Sequence, residues 1–157
     1  EVNVMAIRNI RTEDDPLLRK LSRDVTKINK YIEILLDDMR ETLDSRNGIG
    51  IAAPQVGVLK KVIIAVDNDD NKIEIINPQI LEKSGSQKLK EGCLSVRNVN
   101  GVVERPEFVK VKGLDRNGNE IIIEGYERLA RVLDHEIDHL NGILFTDKII
   151  EGEYEEE

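Results

Sequence analysis

Residues 129–142 read LARVLDHEIDHLNG and contain both histidines of the 157-residue chain, His135 and His139. The apolar residues of this segment recur at intervals of one, three or four positions, which is typical of the buried face of a helix. They are Leu129, Val132, Leu133, Ile137 and Leu140. Asn141-Gly142 then supplies a common helix end. The pattern predicts a buried helix whose histidines lie beside its apolar face.

The pentapeptide His135-Glu136-Ile137-Asp138-His139 is an HExxH motif. Residues four apart share one helix face, so both imidazoles can bind one divalent metal ion while Glu136 acts beside it as a base. HExxH also occurs by chance on surface helices of unrelated proteins, but the apolar face favours a cleft or an interior here. The motif therefore indicates a metal-activated water, for which a catalytic site needs a third protein ligand.

The third ligand is not decided by the residues near the helix. No histidine follows His139, and the acids beyond it are Asp147 and those of the C-terminal tail. The single cysteine, Cys93, lies upstream in the segment EGCLS, residues 91–95. A Cys/His/His set suits Fe(II), Zn(II), Co(II) or Ni(II) and leaves a coordination position open. The alternative, favoured for a cysteine considered alone, is a small buried apolar residue.

A third segment completes a recognisable set. GIGIAAPQVG at residues 48–57, EGCLS at 91–95 and HEIDH at 135–139 resemble, in order and spacing, the three signature motifs of the peptide deformylase family. DPLLR at 15–19 and INP at 76–78 are also similar to that family, as is LNG after the second histidine. The resemblance covers nearly the whole chain, and the three motifs together are far more specific than HExxH alone.

The resemblance implies an activity and its metal. Deformylases remove the N-formyl group from the initiator methionine of nascent bacterial or organellar proteins and release formate. The implied ligands of one ion per chain are Cys93, His135 and His139. The implied ion is Fe(II), for which Zn(II), Ni(II) or Co(II) can substitute. The implied partner is the formylmethionyl nascent chain. Transient ribosome contact is a weaker expectation, since the chain after His139 lacks the long docking helix of some members.

The resemblance also implies catalytic roles. Glu136 would take a proton from the metal-activated water and return it to the leaving amine. The side-chain amide of Gln55 and the backbone N–H of Leu94 would stabilise the oxyanion. Two alternatives stay open: a zinc peptidase of the HExxH kind, and a non-catalytic deformylase-like binding protein. The second would be expected to have lost Glu136, Gln55 or a ligand, and the chain has them all.

A pocket for an unbranched thioether side chain is expected near the metal. The substrate-binding residues predicted for it are Gly48, Ile49, Gly50, Ile51, Leu89, Glu91, Gly92, Arg128 and Val132. Residues 49–51 would let a peptide lie against the chain like an added strand. A nucleotide loop is not indicated, because the glycine spacing of a dinucleotide fingerprint and the lysine of a phosphate loop are absent. The stem of Arg128 would line the pocket, or the side chain would point into solvent.

Three further positions bear on the site. Asp138 and Arg105 are predicted either to form a buried pair that orients the metal-bound histidines or to leave Asp138 in solvent. Asp134 stands where many family members have glutamine, and residues 96–98, VRN, replace a proline-containing turn. These departures affect loop geometry or pH dependence and not the ligand set.

Composition predicts one α+β domain over residues 1–157. The chain is 39% hydrophobic with a net charge of −8, which argues against broad DNA binding. The single cysteine excludes an intrachain disulfide, and no apolar run is long enough for a membrane span, so a cytoplasmic protein is expected. The family resemblance implies that it is bacterial. Residues 1–4 are interpreted as a cloning remnant or a short extension, and 151–157 as a mobile acidic tail.

The expected fold has antiparallel sheets around a central helix that carries the HExxH motif. An N-terminal amphipathic helix is predicted to end before Asn47-Gly48. Its apolar positions are Val25, Ile28, Ile32, Leu35, Leu36, Met39 and Leu43. The predicted strands are residues 62–66, 72–76, 80–83, 108–112 and 119–124.

Overall fold

The computed structural model describes residues 6–151, so the predictions for residues 1–4 and 152–157 lie outside the described residues. Two α-helices are present in this range, α1 (Lys30–Ser45) and α2 (Arg128–Leu140). The strands are β1 (Gly50–Ala52), β2 (Val62–Val66), β3 (Lys72–Ser84), β4 (Gln87–Cys93), β5 (Val96–Arg105), β6 (Phe108–Leu114), β7 (Glu120–Tyr126) and β8 (Ile149–Glu151). Short 3₁₀ helices cover Pro16–Arg19, Ala53–Val56 and Phe145–Lys148.

The strands form two antiparallel sheets, which confirms the predicted α+β class. The larger sheet has the order β1-β2-β3-β6-β7 and the smaller one the order β4-β5-β8. β1 therefore lies at one edge of the larger sheet and pairs only with β2, with Ile51 opposite Ile64. Neither described helix is long and apolar enough to cross a membrane.

The observed strands differ from the predicted ones in two places. β3 is one strand of 13 residues that includes both predicted segments, and it shifts register against β6 between Ile76 and Gln79. Asn77 adopts a left-handed backbone there, with φ of 53°. The β4–β5 hairpin was not predicted, because residues 87–105 lack a clear alternation of apolar and polar residues. This hairpin places Cys93 at the end of β4.

Helices cover both faces of the larger sheet. Along β2, Val62, Ile64 and Val66 pack in the same apolar cluster as α1, whereas Ile63 and Ala65 pack in the cluster of α2. Alternate side chains of a strand point to opposite faces, so a strand between two helices is apolar throughout. Burial of each such aliphatic side chain contributes about 1.5–3 kcal/mol. The sheet is therefore a rigid support for α2.

The C-terminal end of α2 is closed by a Schellman motif. The Gly142 N–H donates to the His139 carbonyl at 3.2 Å, and the Ile143 N–H donates to the Asp138 carbonyl at 3.0 Å. Gly142 has φ of 73°, a conformation that favours glycine. A Cβ atom at this position would lie 2.4 Å from the carbonyl oxygen of Arg19. Gly142, three residues after the second histidine, thus packs directly on the N-terminal segment.

Candidate active site

Cys93, His135 and His139 lie together at the junction of β4 and α2. One ligand atom from each lies within 4.8 Å of the others. The Cys93 sulfur is 3.3 Å from Nε2 of His139. One thiolate and two imidazole nitrogens are donors that suit a divalent transition metal and leave a position open. The structure thus brings together the three residues that the sequence predicted as ligands, although 42 positions separate Cys93 from His135.

The orientation of His135 is set by Glu91. Nδ1 of His135 lies 2.9 Å from Oε1 of Glu91. An ionised carboxylate can only accept, so Nδ1 carries a hydrogen and Nε2 is the ring nitrogen left to bind a metal ion. Burial opposes the charge on Glu91, but hydrogen bonds from His135 and Arg105 lower the pKa of its carboxyl to about 2. Glu91 therefore faces away from the substrate and acts on the histidine.

Arg105 is the centre of a buried ionic cluster behind the histidines. Its guanidinium donates to Glu91 from Nε at 2.9 Å and from Nη2 at 3.0 Å. Nη1 donates to Asp138 at 2.6 Å and to Asp134 at 3.1 Å. The predicted pairing of Arg105 with Asp138 is confirmed, and Asp134 belongs to the same cluster. Lys83 lies 3.0 Å from Asp134 on its outer side.

Since an unpaired buried charge costs several kcal/mol, the three carboxylates and Arg105 depend on each other. The cluster joins β4, β5 and α2, the three elements that carry or support the candidate ligands. Lys148, at the end of the last 3₁₀ helix, adds a contact of 2.8 Å to Asp138. The relative placement of hairpin and helix is thus held by charge as well as by apolar packing.

Glu136 is buried and faces the cavity beside the histidines. Its Oε1 atom has no hydrogen-bond partner among residues 6–151. Burial raises the pKa of Glu136 to about 7. A Cβ atom on Gly50 would lie 2.5 Å from Oε2 of Glu136 and 2.7 Å from Cγ1 of Val132, so only glycine leaves room for this carboxyl. A carboxyl poised near neutral pH can both accept and donate a proton.

His139 is also held in the form that binds metals. Burial lowers its pKa well below the ordinary value, so the imidazole stays neutral. Its Nδ1 atom is buried without a partner among the described residues. The neutral His139 imidazole and the Cys93 thiol are donors that a divalent ion can bind, and the unpartnered carboxyl oxygen of Glu136 is beside the candidate ligand His135. The residues present therefore fit a metal centre.

Gln55 is oriented by contacts at both ends of its side-chain amide. Oε1 accepts a hydrogen bond from the Ala52 N–H at 2.9 Å. Nε2 consequently faces the site, where it donates to the Ser95 hydroxyl at 3.1 Å and lies 3.6 Å from the Cys93 sulfur. Ser95 is fully buried and was not singled out from the sequence. Its position in the EGCLS segment, two residues after Cys93, is the sequence feature that could have indicated a role in the site.

A cavity of about 330 Å³ opens beside these groups. The segment from Asn47 to Gly50 forms one wall, Gly92 to Leu94 a second, and Arg131 with Val132 of α2 a third. His135 and Glu136 lie in its lining, as does Gln55. Five residues predicted to bind substrate line this cavity, namely Gly48, Ile49, Gly50, Gly92 and Val132.

Four other predicted substrate-binding residues do not line it. Leu89 is 41% exposed on β4, and Ile51 is fully buried in the core. Glu91 contacts Arg105 instead. Arg128 donates from Nη2 to the Asp67 carbonyl at 2.6 Å, outside the cavity. Arg131 was missed, although it precedes His135 by four residues and so shares its helix face.

Comparison with known proteins identifies close similarities. A sequence model described as polypeptide deformylase matches residues 7–154. A protein named peptide deformylase from Alkaliphilus metalliredigens is 60% identical over 146 residues, which is 93% of this chain and 99% of that protein.

Solved structures of peptide deformylases have folds similar to that of this chain. The peptide deformylase of Ehrlichia chaffeensis in complex with actinonin superposes with a TM-score of 0.90 at 41% identity, covering 94% of this chain and 91% of that one. The class I type b peptide deformylase of Acinetobacter baumannii, crystallised with Met-Ala-Ser bound, has a TM-score of 0.87 at 36% identity. The match covers 94% of this chain and 100% of the Acinetobacter chain.

Proposed function

The chain belongs to the polypeptide deformylase family, and on that premise we propose how its own residues remove the formyl group from formylmethionyl peptides of nascent chains. Deformylase activity follows from the family match and from full-length relatives of that activity. The observation that carries the mechanism is the convergence of Glu136 and Gln55 with the Cys93, His135 and His139 cluster in one cavity.

Cys93, His135 and His139 would hold one divalent ion. When bound, the ion supplies Lewis acidity that lowers the pKa of a water molecule to near neutral. Fe(II) is the ion that we propose, and Zn(II), Ni(II) and Co(II) are compatible with the same sulfur and nitrogen donors. The neutral state of the His139 ring, whose Nε2 lies 3.3 Å from the Cys93 sulfur, supports this assignment.

Glu136 is the proton carrier in this mechanism. Its carboxylate takes a proton from the attacking water at Oε1 or Oε2, and the protonated carboxyl then donates it to the leaving amine. A pKa of about 7 for Glu136 supports both steps, since neither form is strongly preferred near neutral pH. Gly50 leaves room for this carboxyl, because a Cβ atom there would lie 2.5 Å from Oε2.

Gln55 and Leu94 are the proposed donors to the oxyanion. Because the Ala52 N–H holds Oε1 of Gln55, the amide cannot flip without losing that bond, and Nε2 stays directed at the site. The backbone N–H of Leu94 follows Cys93 directly and lies on the same cavity wall. Loss of one such donor typically lowers kcat by about 10²–10³.

The peptide would lie along the free edge of β1. β1 pairs with β2 on one side only, and the residues that lead into it, from Gly48 to Gly50, line the cavity. Unpaired backbone groups at such an edge can bind an extended peptide as an added strand. The Acinetobacter relative, which was crystallised with Met-Ala-Ser, supports a peptide of this length at the site.

The test is formate release from formyl-Met-Ala-Ser by anaerobically purified protein, compared with Glu136→Gln. We expect activity in the wild type, and loss of turnover with retained metal in the variant. Formate from a metal-loaded variant at the wild-type rate would reject Glu136 as the proton carrier. Cleavage of unformylated Met-Ala-Ser would instead favour a zinc peptidase, and a metal-loaded wild type without any turnover would favour a binding protein.

A further inference from the structure

Arg131 is a charged residue in the wall of an otherwise largely apolar side-chain pocket. It lines the cavity together with Ile49, Leu94 and Val132. Its Nε atom is buried and has no hydrogen-bond partner among residues 6–151. No carboxylate in that range forms an ion pair with it. Arg128, one turn earlier on α2, differs because its guanidinium donates to the Asp67 carbonyl outside the cavity.

The helix places Arg131 at a defined distance from the candidate reaction centre. It precedes His135 by four residues, so the two side chains lie on one face about one turn, or 5.4 Å, apart. An unbranched side chain of four single bonds reaches about 5 Å from its Cα. A first residue whose formyl group lies near His135 and Glu136 can therefore bring the end of its side chain to Arg131.

The chemistry of that contact depends on what the side chain ends in. A thioether sulfur is a weak acceptor, whereas an oxygen on the same skeleton is a strong one for a guanidinium. With a thioether, Arg131 can keep its stem on the pocket wall and extend its charged group toward solvent, because it is only half-buried. With an oxygen acceptor, the guanidinium gains a hydrogen-bond acceptor at the cavity wall, where no described residue supplies one to its Nε atom.

Building on the proposed function, we propose that Arg131 is a specificity-determining residue that lets this pocket bind first residues of methionine length whose side chain carries an oxygen acceptor near its end. Methionine sulfoxide is the matched example, since it differs from methionine by one oxygen at the sulfur. The enzyme would thus also deformylate chains whose initiator methionine has been oxidised.

The test compares kcat/KM for formyl-Met-Ala-Ser, its sulfoxide and formyl-norleucyl-Ala-Ser. Norleucine has the same length and no acceptor. Arg131→Met keeps the length of the stem and removes the donors, and Arg131→Leu is a second variant in case the first folds poorly. A hydrogen bond to a charged group predicts that either variant lowers the sulfoxide-to-thioether ratio about 10- to 100-fold. The norleucine-to-methionine ratio should change far less.

Arg128→Met is the matched control, because it removes the same charge from the same helix outside the cavity. It should leave both ratios at their wild-type values. An equal fall for the sulfoxide and the thioether in the Arg131 variants, or the same loss in Arg128→Met, would overturn the inference. A wild type that turns over the thioether but already rejects the sulfoxide as strongly as the variants would also overturn it. Absence of formate from all three peptides would instead reject the proposed function on which the inference rests.

Discussion

His135 donates a hydrogen bond from Nδ1 to Oε1 of Glu91 over 2.9 Å, and this bond joins the β4 strand to the α2 helix. It selects the tautomer that leaves Nε2 free for a metal ion. Glu91 is itself held by two hydrogen bonds from Arg105. The geometry of the candidate metal centre therefore depends on residues that do not touch the ion.

Glu91→Gln should weaken metal binding while leaving the three candidate ligands Cys93, His135 and His139 in the chain. The amide has the shape of the carboxylate but lacks its charge, so His135 loses the partner that raises its basicity. Loss of such a partner typically lowers metal affinity about 10- to 100-fold. Titration of the purified apo protein with Co(II) or Zn(II) measures the change. Glu104→Gln, at an exposed position of β5, is the control, and equal affinities for the two variants would contradict the role of Glu91.

Gly50→Ala should displace Glu136 and slow turnover by more than about tenfold. The added Cβ would lie 2.5 Å from Oε2 of Glu136, so the carboxyl must move, and small misplacements of catalytic groups carry large rate costs. Steady-state kinetics on formyl-Met-Ala-Ser would show the effect in kcat, with metal content unchanged. Wild-type kcat in a folded, metal-loaded Gly50→Ala protein would show that the carboxyl does not need this space.

Glu74 should contribute to stability at neutral pH and lose that contribution in acid. Burial opposes its charge, but hydrogen bonds from Arg116 and Arg40 lower the pKa of Glu74 below its ordinary value of 4.5. A carboxyl with a depressed folded-state pKa stabilises the fold above the unfolded pKa, and this stability falls as pH drops through the folded pKa. Urea unfolding of wild type and Glu74→Gln should therefore differ at pH 7 and converge below pH 4.5.

Glu120→Gln is the matched control for Glu74, because Glu120 pairs with Lys112 at the protein surface. Exposed pairs contribute about 0–1 kcal/mol, so the stability of this variant should stay close to that of the wild type. A difference between wild type and Glu74→Gln that stays constant from pH 7 down to acid would show that the charge of Glu74 is not the cause.

Gly142→Ala should destabilise the fold more than Gly118→Ala, which is the same substitution at another glycine with a left-handed backbone. A left-handed backbone costs a residue with a Cβ about 1–2 kcal/mol, and here the Cβ would also overlap the Arg19 carbonyl. Gly118→Ala is the control that carries the first effect alone, since Gly118 has φ of 85° but no atom within 4 Å of the added Cβ. Thermal unfolding should show a larger loss for Gly142→Ala, and equal losses would mean that the contact with Arg19 relaxes freely.

Local features of the sequence were the most informative. The spacing of apolar residues around His135 and His139 is a property of the helix repeat, and residues 128–140 form a helix in the structure. The β4–β5 hairpin was missed, because residues 87–105 lack the clear alternation of apolar and polar residues that predicts a half-buried strand. Residues 72–76 and 80–83 were predicted as two separate strands. In the structure they belong to one strand, which continues through a register shift near Asn77.

The pocket shows where prediction from the sequence was least successful. Arg128 and Arg131 are both arginines of one helix, three residues apart, and family position favoured the first. The structure places Arg131 in the cavity and Arg128 on the Asp67 carbonyl, because the orientation of a helix is set by what it packs against. Leu89 likewise faces solvent, although it lies on the same face of β4 as the buried Glu91.

The sequence by itself determined the pair of histidines, the adjacent acid and, through three motifs, the family. The histidines and the acid lie within about one helical turn, and over that distance backbone geometry alone decides which side chains share a face. Only the tertiary structure decided that Cys93 reaches His139, that Arg105 binds Glu91, Asp134 and Asp138 at once, and that Arg131 lines the pocket. These contacts join segments distant in sequence, so they depend on how the sheets and helices pack and not on any local pattern.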